Sequence, residues 1–219
     1  IQIYDTIEES NRQYQEVHHM NTRVITIGRQ FGSNGHLIAH ELAKRLGIKC
    51  YDKSLITFAA EHTGIPYSQL EIVDEKKENK WHYLVDVEEN LEKQYRYEHI
   101  DEVLFQQQSK IIQKLAEEGD CIFVGRCADY VLRDKKQCKH IYLHAPEESR
   151  IHTIMNRYGM NEKEATALMK KVDKDRRYYY NYHTDRKWEA FQNYDLTLNT
   201  ASFTLEEILD ILEKVYQQL

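Results

Sequence analysis

The chain has few of the residues that break regular structure, with two prolines and eight glycines among 219 residues. It also has no linker-like stretch, no low-complexity tract and no internal repeat, which favours one compact unit. No run approaches the roughly 18 apolar residues of a membrane span. The first twenty residues lack the basic start and apolar stretch of a signal peptide. We therefore expect a cytoplasmic protein without a membrane partner.

Cysteine is scarce as well, and the four cysteines show no CxxC spacing. They are Cys50, Cys121, Cys127 and Cys138, and several of them lie inside apolar runs. This pattern favours free buried thiols over a metal site or a disulfide framework.

Charge is unevenly distributed along the chain. The formal net charge is −6, yet the segment from Lys170 to Trp188 holds seven Lys or Arg and three Asp. A local basic patch on an acidic protein indicates a localised anionic ligand. The aromatic residues between these charges leave RNA or DNA binding as an alternative. The acidic total and the lack of a second basic stripe disfavour it, so no nucleic-acid partner is expected.

Short apolar runs alternate with helical patterns from residue 23 onwards. The runs lie at 24–27, 48–51, 121–124, 140–144 and 194–200. Such alternation predicts parallel strands joined by right-handed crossovers, with helices on both faces of a sheet. Residues 161–188 are expected to form two polar helices. Residues 1–20 have no predicted role in the fold.

One loop in this pattern is rich in glycine. The stretch "ITIGRQFGSNGHLIAHELAKRLG", residues 25–47, places Gly28, Gly32 and Gly35 between a strand and a helix. Glycines there let several backbone N–H groups face one anion at a helix N-terminus, so we expect an anion against Gly32 to His36. The phosphate loop G-x-x-x-x-G-K-[ST] carries a lysine, whose place falls here at Gly35 or His36. A turn that merely packs a helix against a strand is the alternative.

Three further segments place charged residues near strand ends or in the basic patch. "VGRCADY" puts Arg126 directly after a strand, and "YDKS" puts Asp52 and Lys53 after another. "DKDRRYYYNYHTDRKW" supplies Arg176 and Arg177. Ligands of doubly wound sheets bind at the carboxyl ends of the strands, where a guanidinium group can hold a phosphate with two hydrogen bonds. Individually each feature is also typical of a surface charge or a helix cap.

Taken together, these segments resemble the cytidylate kinase-like family among the nucleoside monophosphate kinases. The matching stretches are "ITIGRQFGSNGHLIAHELAKRLGIKCYDKSLI", "LFQQQSKIIQKLAEEGDCIFVGRCADYVL", "IYLHAPEESRIHTIM", "KKVDKDRRYYYNYHTDRKW" and "LTLNTASFTLEEIL". The resemblance implies an α/β fold of the P-loop kinase type, a five-stranded parallel sheet with helices on both faces and a small helical lid at about 161–188. The kinase-like domain would be 21–219, after an N-terminal extension at 1–20.

The resemblance also implies an ATP-dependent phosphotransferase with Mg²⁺ that acts on a nucleoside monophosphate such as CMP. The residues implied for the catalytic role are Arg29, Arg126, Arg176 and Arg177. Those implied for ATP are Gly28, Gly32, Ser33, Asn34, Gly35, His36, Asn199 and Thr200. Those implied for the acceptor are Asp52, Lys53, Gly125, Arg126 and Asp129. The sequence assigns no Mg²⁺ ligands and no oligomeric state.

Two departures from cytidylate kinases proper bear on turnover. The loop lysine is absent, and Val124 stands where those enzymes have an aspartate at the end of the third strand. Both changes remove groups that stabilise the transferring phosphate or its metal ion. We expect Arg176 and Arg177, assisted by Arg29, to supply the missing positive charge. The alternative is a nucleotide-binding sensor or interaction protein with little turnover.

Overall fold

The structure is a computed structural model that describes residues 22–52 and 90–219. We number the elements of these residues in chain order. The strands are β1 (Val24–Arg29), β2 (Lys49–Tyr51), β3 (Cys121–Val124), β4 (Cys138–His144) and β5 (Leu196–Asn199). The helices are α1 (Gly35–Leu46), α2 (Asn90–Glu118), α3 (Ala128–Val131), α4 (Glu147–Tyr158), α5 (Glu162–Thr184) and α6 (Leu205–Gln217). One 3₁₀ turn spans Phe191–Asn193.

The five strands form one parallel sheet in the order β2-β3-β1-β4-β5. Strand β1 is central, since Val24 pairs with Cys121 on one side and with Cys138 on the other. Because all strands run the same way, their carboxyl ends meet at one edge. The predicted five-stranded parallel α/β fold is confirmed.

Helices cover both faces of the sheet. On one face, α1 and α6 bury Ile38, Leu42 and Leu212 against the strands. On the other face, α2 and α3 pack Ile112 and Ala128 against the sheet. The predicted strand cores 24–27, 121–124 and 141–143 are at most 4% exposed. The continuous apolar runs of the sequence are therefore strands that are buried on both faces of the sheet.

The helix ends follow local sequence signals. Gly47 ends α1 in the left-handed conformation that glycine adopts most easily, with φ 68°. Thr204 caps α6 through a capping box with Glu207. Asn161 and Glu164 form a second capping box at the start of α5.

The expectation of two helices within 161–188 is wrong. Helix α5 runs without a break for 23 residues. It contains neither glycine nor proline, and only at Asp185 does the backbone turn left-handed. Helix α5 packs on α4 through Ile154, Ala165 and Met169.

All four cysteines are free thiols, as predicted. Cys121, Cys127 and Cys138 are buried, whereas Cys50 is half-buried. None of the helices in the described ranges is long and apolar enough to cross a membrane.

Candidate functional site

The candidate site lies at the carboxyl edge of the sheet, around the loop between β1 and α1. Arg29 is the last residue of β1, Arg126 follows β3 and Asp52 follows β2. These three strands are neighbours, so the sheet brings their ends together. The loop that contains Gly32 crosses the same edge.

The loop presents several backbone N–H groups at the start of α1. Within the described residues, the N–H groups of Gly32, Asn34, Gly35 and His36 form no hydrogen bond with another residue. Asn34 adopts a left-handed conformation with φ 60°, which turns the chain into α1. Free N–H groups at a helix N-terminus bind anions. The loop can therefore accept a phosphate without a lysine.

A buried ion pair between α4 and α5 holds the backbone of the loop. Asp173 of α5 accepts a hydrogen bond from the N–H of Phe31 at 2.8 Å and pairs with Arg150 of α4. Arg150 in turn donates to the carbonyl of Phe31 at 3.3 Å. A Cβ on Gly32 would lie 2.7 Å from the carbonyl oxygen of Arg150, so this position has no room for a side chain.

Two glycines make room for the Arg29 side chain. A Cβ on Gly35 would lie 2.7 Å from the Cβ of Arg29. A Cβ on Gly125 would overlap the Arg29 guanidinium group. Arg29 therefore extends from the end of β1 towards the end of β3, across the ligand edge of the sheet.

The backbone after β3 is strained in a way that supports a functional role for Arg126. Gly125, Arg126 and Cys127 have φ values of 75°, 58° and 54°. Residues other than glycine rarely adopt this left-handed conformation, and such strain clusters at binding sites. The turn ends where Ala128 donates to the carbonyl of Gly125 at 3.1 Å. It sets Arg126 within electrostatic range of Arg29 and Asp52.

Arg176 and Arg177 of α5 have different surroundings. Arg176 donates from Nη1 to the backbone carbonyl of Arg29 at 3.0 Å and lies over the ring of Phe31. Arg177 pairs instead with Glu189 at 2.8 Å. The structure thus brings Arg176, and not Arg177, to Arg29.

We call Arg29, Arg126 and Arg176 the arginine cluster. Burial lowers the pKa of Arg29 well below its usual range, Arg176 and Arg126 lower it further, and Asp52 opposes them. Burial also lowers the pKa of Arg126 and Arg176. No carboxylate of the described residues lies within ion-pair distance of Arg29. Like charges held together this way are suited to a multiply charged anion.

The other predicted residues are placed as follows. Thr200 donates its hydroxyl hydrogen to the carbonyl of Ser33 at 3.0 Å, so it supports the loop. Asn199 accepts from the N–H of Ala201 at 3.1 Å. Asp129 of α3 is buried and accepts from the Tyr180 hydroxyl at 2.6 Å. Burial raises the pKa of Asp129 despite this bond. Lys53 lies outside the described residues.

Sequence reasoning missed four residues beside the loop. Arg150 and Asp173 clamp Phe31, as described above. Glu189 accepts hydrogen bonds from Arg177 and from Gln30, whose Nε2 lies 3.2 Å away. The Tyr142 hydroxyl is buried without a hydrogen-bond partner in the described part of the chain. Only the register of β1 with β4, which pairs Gly28 with Tyr142, brings that hydroxyl to the site.

Comparisons with known proteins agree with this architecture. A cytidylate kinase of Methanopyrus kandleri is 27% identical over 207 residues, covering 90% of this chain and 94% of that protein. The crystal structure of an uncharacterized protein from Eubacterium ventriosum is 26% identical, with a TM-score of 0.68, over 90% of this chain and 99% of that one. Shikimate kinase from Bacteroides thetaiotaomicron shares the fold, at 10% identity and a TM-score of 0.51, over 90% of this chain and 99% of that one.

The model of the cytidylate kinase-like family matches residues 24–202. That range contains the loop, the arginine cluster and helix α5. By this match, the chain belongs to the cytidylate kinase-like family.

Proposed function

We propose that this protein is an ATP-dependent phosphotransferase that acts on a nucleoside monophosphate, with CMP as the first candidate. Family membership and the likeness to kinases support a nucleotide kinase. The observation that carries the proposal is the arginine cluster beside a loop with four N–H groups that form no hydrogen bond to any described residue.

The loop and two arginines would bind the donor. The N–H groups of Gly32, Asn34, Gly35 and His36 hold the outer phosphates, as helix N-termini hold anions. Arg29 and Arg176 supply the positive charge that a loop lysine supplies elsewhere. A positioned cation of this kind can raise turnover by about 10³-fold or more. Arg29 cannot turn away easily, because Gly35 and Gly125 fit closely around its side chain.

Arg126 and Asp52 would face the acceptor. Arg126 lies at the end of β3, next to Arg29, where its guanidinium can hold the acceptor phosphate. An oxygen of that phosphate attacks the terminal phosphorus of ATP, and the bond from that phosphorus to the ADP oxygen breaks. The products are ADP and a nucleoside diphosphate. The arginine cluster stabilises the negative charge that is shared during transfer.

Mg²⁺ fits the site through one carboxylate. Mg²⁺ prefers oxygen ligands and is held in such sites by one or two carboxylates, phosphates and water. Asp173 and Glu189 pair with arginines. Asp52 binds His36 and lies within electrostatic range of Arg29 and Arg126, so Asp52 would be the ligand. When bound, Mg²⁺ neutralises charge on the phosphates.

The test begins with a thermal-shift panel of ATP, ADP, CMP, UMP, AMP and dCMP with Mg²⁺. ATP and at least one monophosphate should raise the melting temperature, because a ligand that binds the folded state stabilises it. A coupled assay of ADP formation should then show turnover with the stabilising acceptor. A protein that no nucleotide stabilises would contradict the proposal.

A second candidate is a nucleotide-binding protein with little turnover. His36 occupies the lysine region of the loop and is hydrogen-bonded to Asp52 at 2.6 Å, so it does not replace the lysine as a free cation. Stabilisation by ATP without ADP formation, for every acceptor in the panel, would favour this candidate.

A further inference from the structure

Two histidines and one carboxylate converge beside the phosphate loop. His36 and His40 are four residues apart, so they lie on the same side of α1. Their rings are 4.3 Å apart between centroids. Both Nε2 atoms face the same oxygen of Asp52, at 2.6 Å for His36 and 3.5 Å for His40. One potential ligand atom from each residue lies within 4.8 Å of the other two.

From this geometry we propose a binding site for a divalent transition-metal ion of the Zn²⁺ class, with His36, His40 and Asp52 as ligands. The site goes beyond nucleotide binding and needs no nucleotide to form. Two imidazoles and one carboxylate are a ligand set found in zinc and non-haem iron sites. Three protein ligands leave at least one position for water or another ligand.

The distances are close to those a metal ion requires. In a tetrahedral site with bonds of about 2.0 to 2.1 Å, ligand atoms are about 3.3 Å apart. The separation of 3.5 Å between His40 and Asp52 already agrees with this value. The 2.6 Å hydrogen bond between His36 and Asp52 must open slightly, which the exposed side chain of His36 permits. The separation between the ligand nitrogens of His36 and His40 is at most 4.8 Å and must shorten in the same movement.

The ligand types select against Mg²⁺. Mg²⁺ takes oxygen ligands and keeps its water, whereas Zn²⁺, Co²⁺ and Ni²⁺ bind imidazole nitrogen well. The nearby Arg29 and Arg126 oppose any cation that is held by charge alone. A metal ion at this place must form bonds with the two imidazoles. Both ions would use Asp52, so the test is made without nucleotide, where Mg²⁺ lacks its phosphate ligands.

The test is calorimetric titration of the nucleotide-free protein with Zn²⁺ and with Co²⁺, in millimolar Mg²⁺. We expect one ion per chain despite the excess Mg²⁺. Bound Co²⁺ should also give the visible absorption of a low-coordinate site with nitrogen ligands. His36→Ala, His40→Ala and Asp52→Asn should each weaken this binding at least tenfold.

His152→Ala is the matched control, because His152 is also an exposed histidine on a helix and binds Asn156 rather than a carboxylate. This variant should keep the wild-type affinity for Zn²⁺. Circular dichroism would verify that each variant is folded. Full binding in a folded His36→Ala/His40→Ala double variant would overturn the proposal, because the ion would then bind elsewhere. Absence of Zn²⁺ and Co²⁺ binding by the wild-type protein in Mg²⁺ would overturn it as well.

Discussion

The two edges of the sheet use charge in opposite ways. At the amino edge, Arg23 precedes β1 and Asp120 precedes β3, and Nη2 of Arg23 lies 2.8 Å from the Asp120 carboxylate. Tyr216 also donates to Asp120, and its ring lies under the Arg23 guanidinium. At the carboxyl edge, Arg29, Arg126 and Arg176 lie together, and Arg29 has no described carboxylate within ion-pair distance.

This contrast separates stability from binding. Paired charges at the amino edge satisfy one another, so they contribute to folding and leave little for a ligand. Like charges at the carboxyl edge disfavour the folded state until an anion arrives. Removing a charge at the carboxyl edge should lower activity and raise stability. Removing a charge at the amino edge should lower stability and leave activity unchanged.

The largest effect is expected for Arg29→Met, which keeps an unbranched side chain and removes the charge. Turnover should fall by about 10³-fold or more, because a central cation of the proposed transfer site is lost. The melting temperature should rise, since burial and neighbouring arginines oppose the charge in the folded state. A coupled kinase assay and a thermal melt measure the two quantities.

The control for Arg29→Met is Lys135→Met at the amino edge. Lys135 donates to the Thr22 hydroxyl at 2.8 Å, far from the loop along the strands. This variant should keep wild-type turnover. Equal turnover of Arg29→Met and Lys135→Met would show that the position of the charge is irrelevant.

The next effect distinguishes two adjacent arginines. Arg176→Ala should lower turnover by at least about 10²-fold, because Arg176 holds the loop backbone and faces the cluster. Arg177→Ala should cost much less, since that side chain pairs with Glu189. Steady-state kinetics of both single variants and of the double variant would measure this. If Arg177→Ala lost as much turnover as Arg176→Ala, the pairing with Glu189 would have to break during the reaction.

A smaller effect concerns stability at the amino edge. Asp120→Asn should lower the free energy of unfolding by about 1 to 3 kcal/mol, because it weakens hydrogen bonds to a charged group. Burial favours a higher pKa for Asp120, but the bonds from Tyr216 and Arg23 and the charge of Arg23 bring it below its usual value.

The lowered pKa of Asp120 fixes the sign of its pH dependence. Its contribution is complete above the unfolded pKa of about 3.9 and is lost as pH falls through the folded value. Urea titrations from neutral pH to below pH 4 should thus show a shallower acid loss of stability in Asp120→Asn than in the wild type. Identical slopes would contradict this assignment.

The smallest effect is the stability change of Lys135→Met. Its hydrogen bond to Thr22 is part-buried, and Thr22 also donates to the carbonyl of Ala116. We expect the free energy of unfolding to fall by less than about 1 kcal/mol, because a single hydrogen bond from a surface lysine to a neutral group contributes little. Urea unfolding would measure it, and a loss as large as that of Asp120→Asn would show that the two contacts act as one network.

The sequence predicted the strands and the loop because both depend on local patterns. Apolar runs indicate buried strands, and glycines before a helix indicate a tight loop at the start of that helix. Arg126 was predictable for the same reason, since it directly follows such a run. The clamp of Arg150 and Asp173 was not, because these residues lie on different helices and meet only when α4 packs on α5.

The choice between Arg176 and Arg177 also needed the structure. In a continuous α-helix, consecutive residues point about 100° apart, so only one of the two can face the loop. The sequence pattern predicts two helices in this region, and a break between them leaves the direction of each side chain undefined. The uninterrupted α5 fixes it, with Asp173 and Arg176 one turn apart and both directed at the loop.

Asp173 and Arg176 couple the motion of α5 to the exchange of backbone hydrogens in the loop. Asp173 holds the N–H of Phe31, and Arg176 holds the carbonyl of Arg29. Helix α5 cannot move away at this turn without releasing the loop backbone. The Phe31 amide should therefore exchange with solvent deuterium only when α5 moves away from the loop. Its hydrogen-exchange rate then measures how often the site opens.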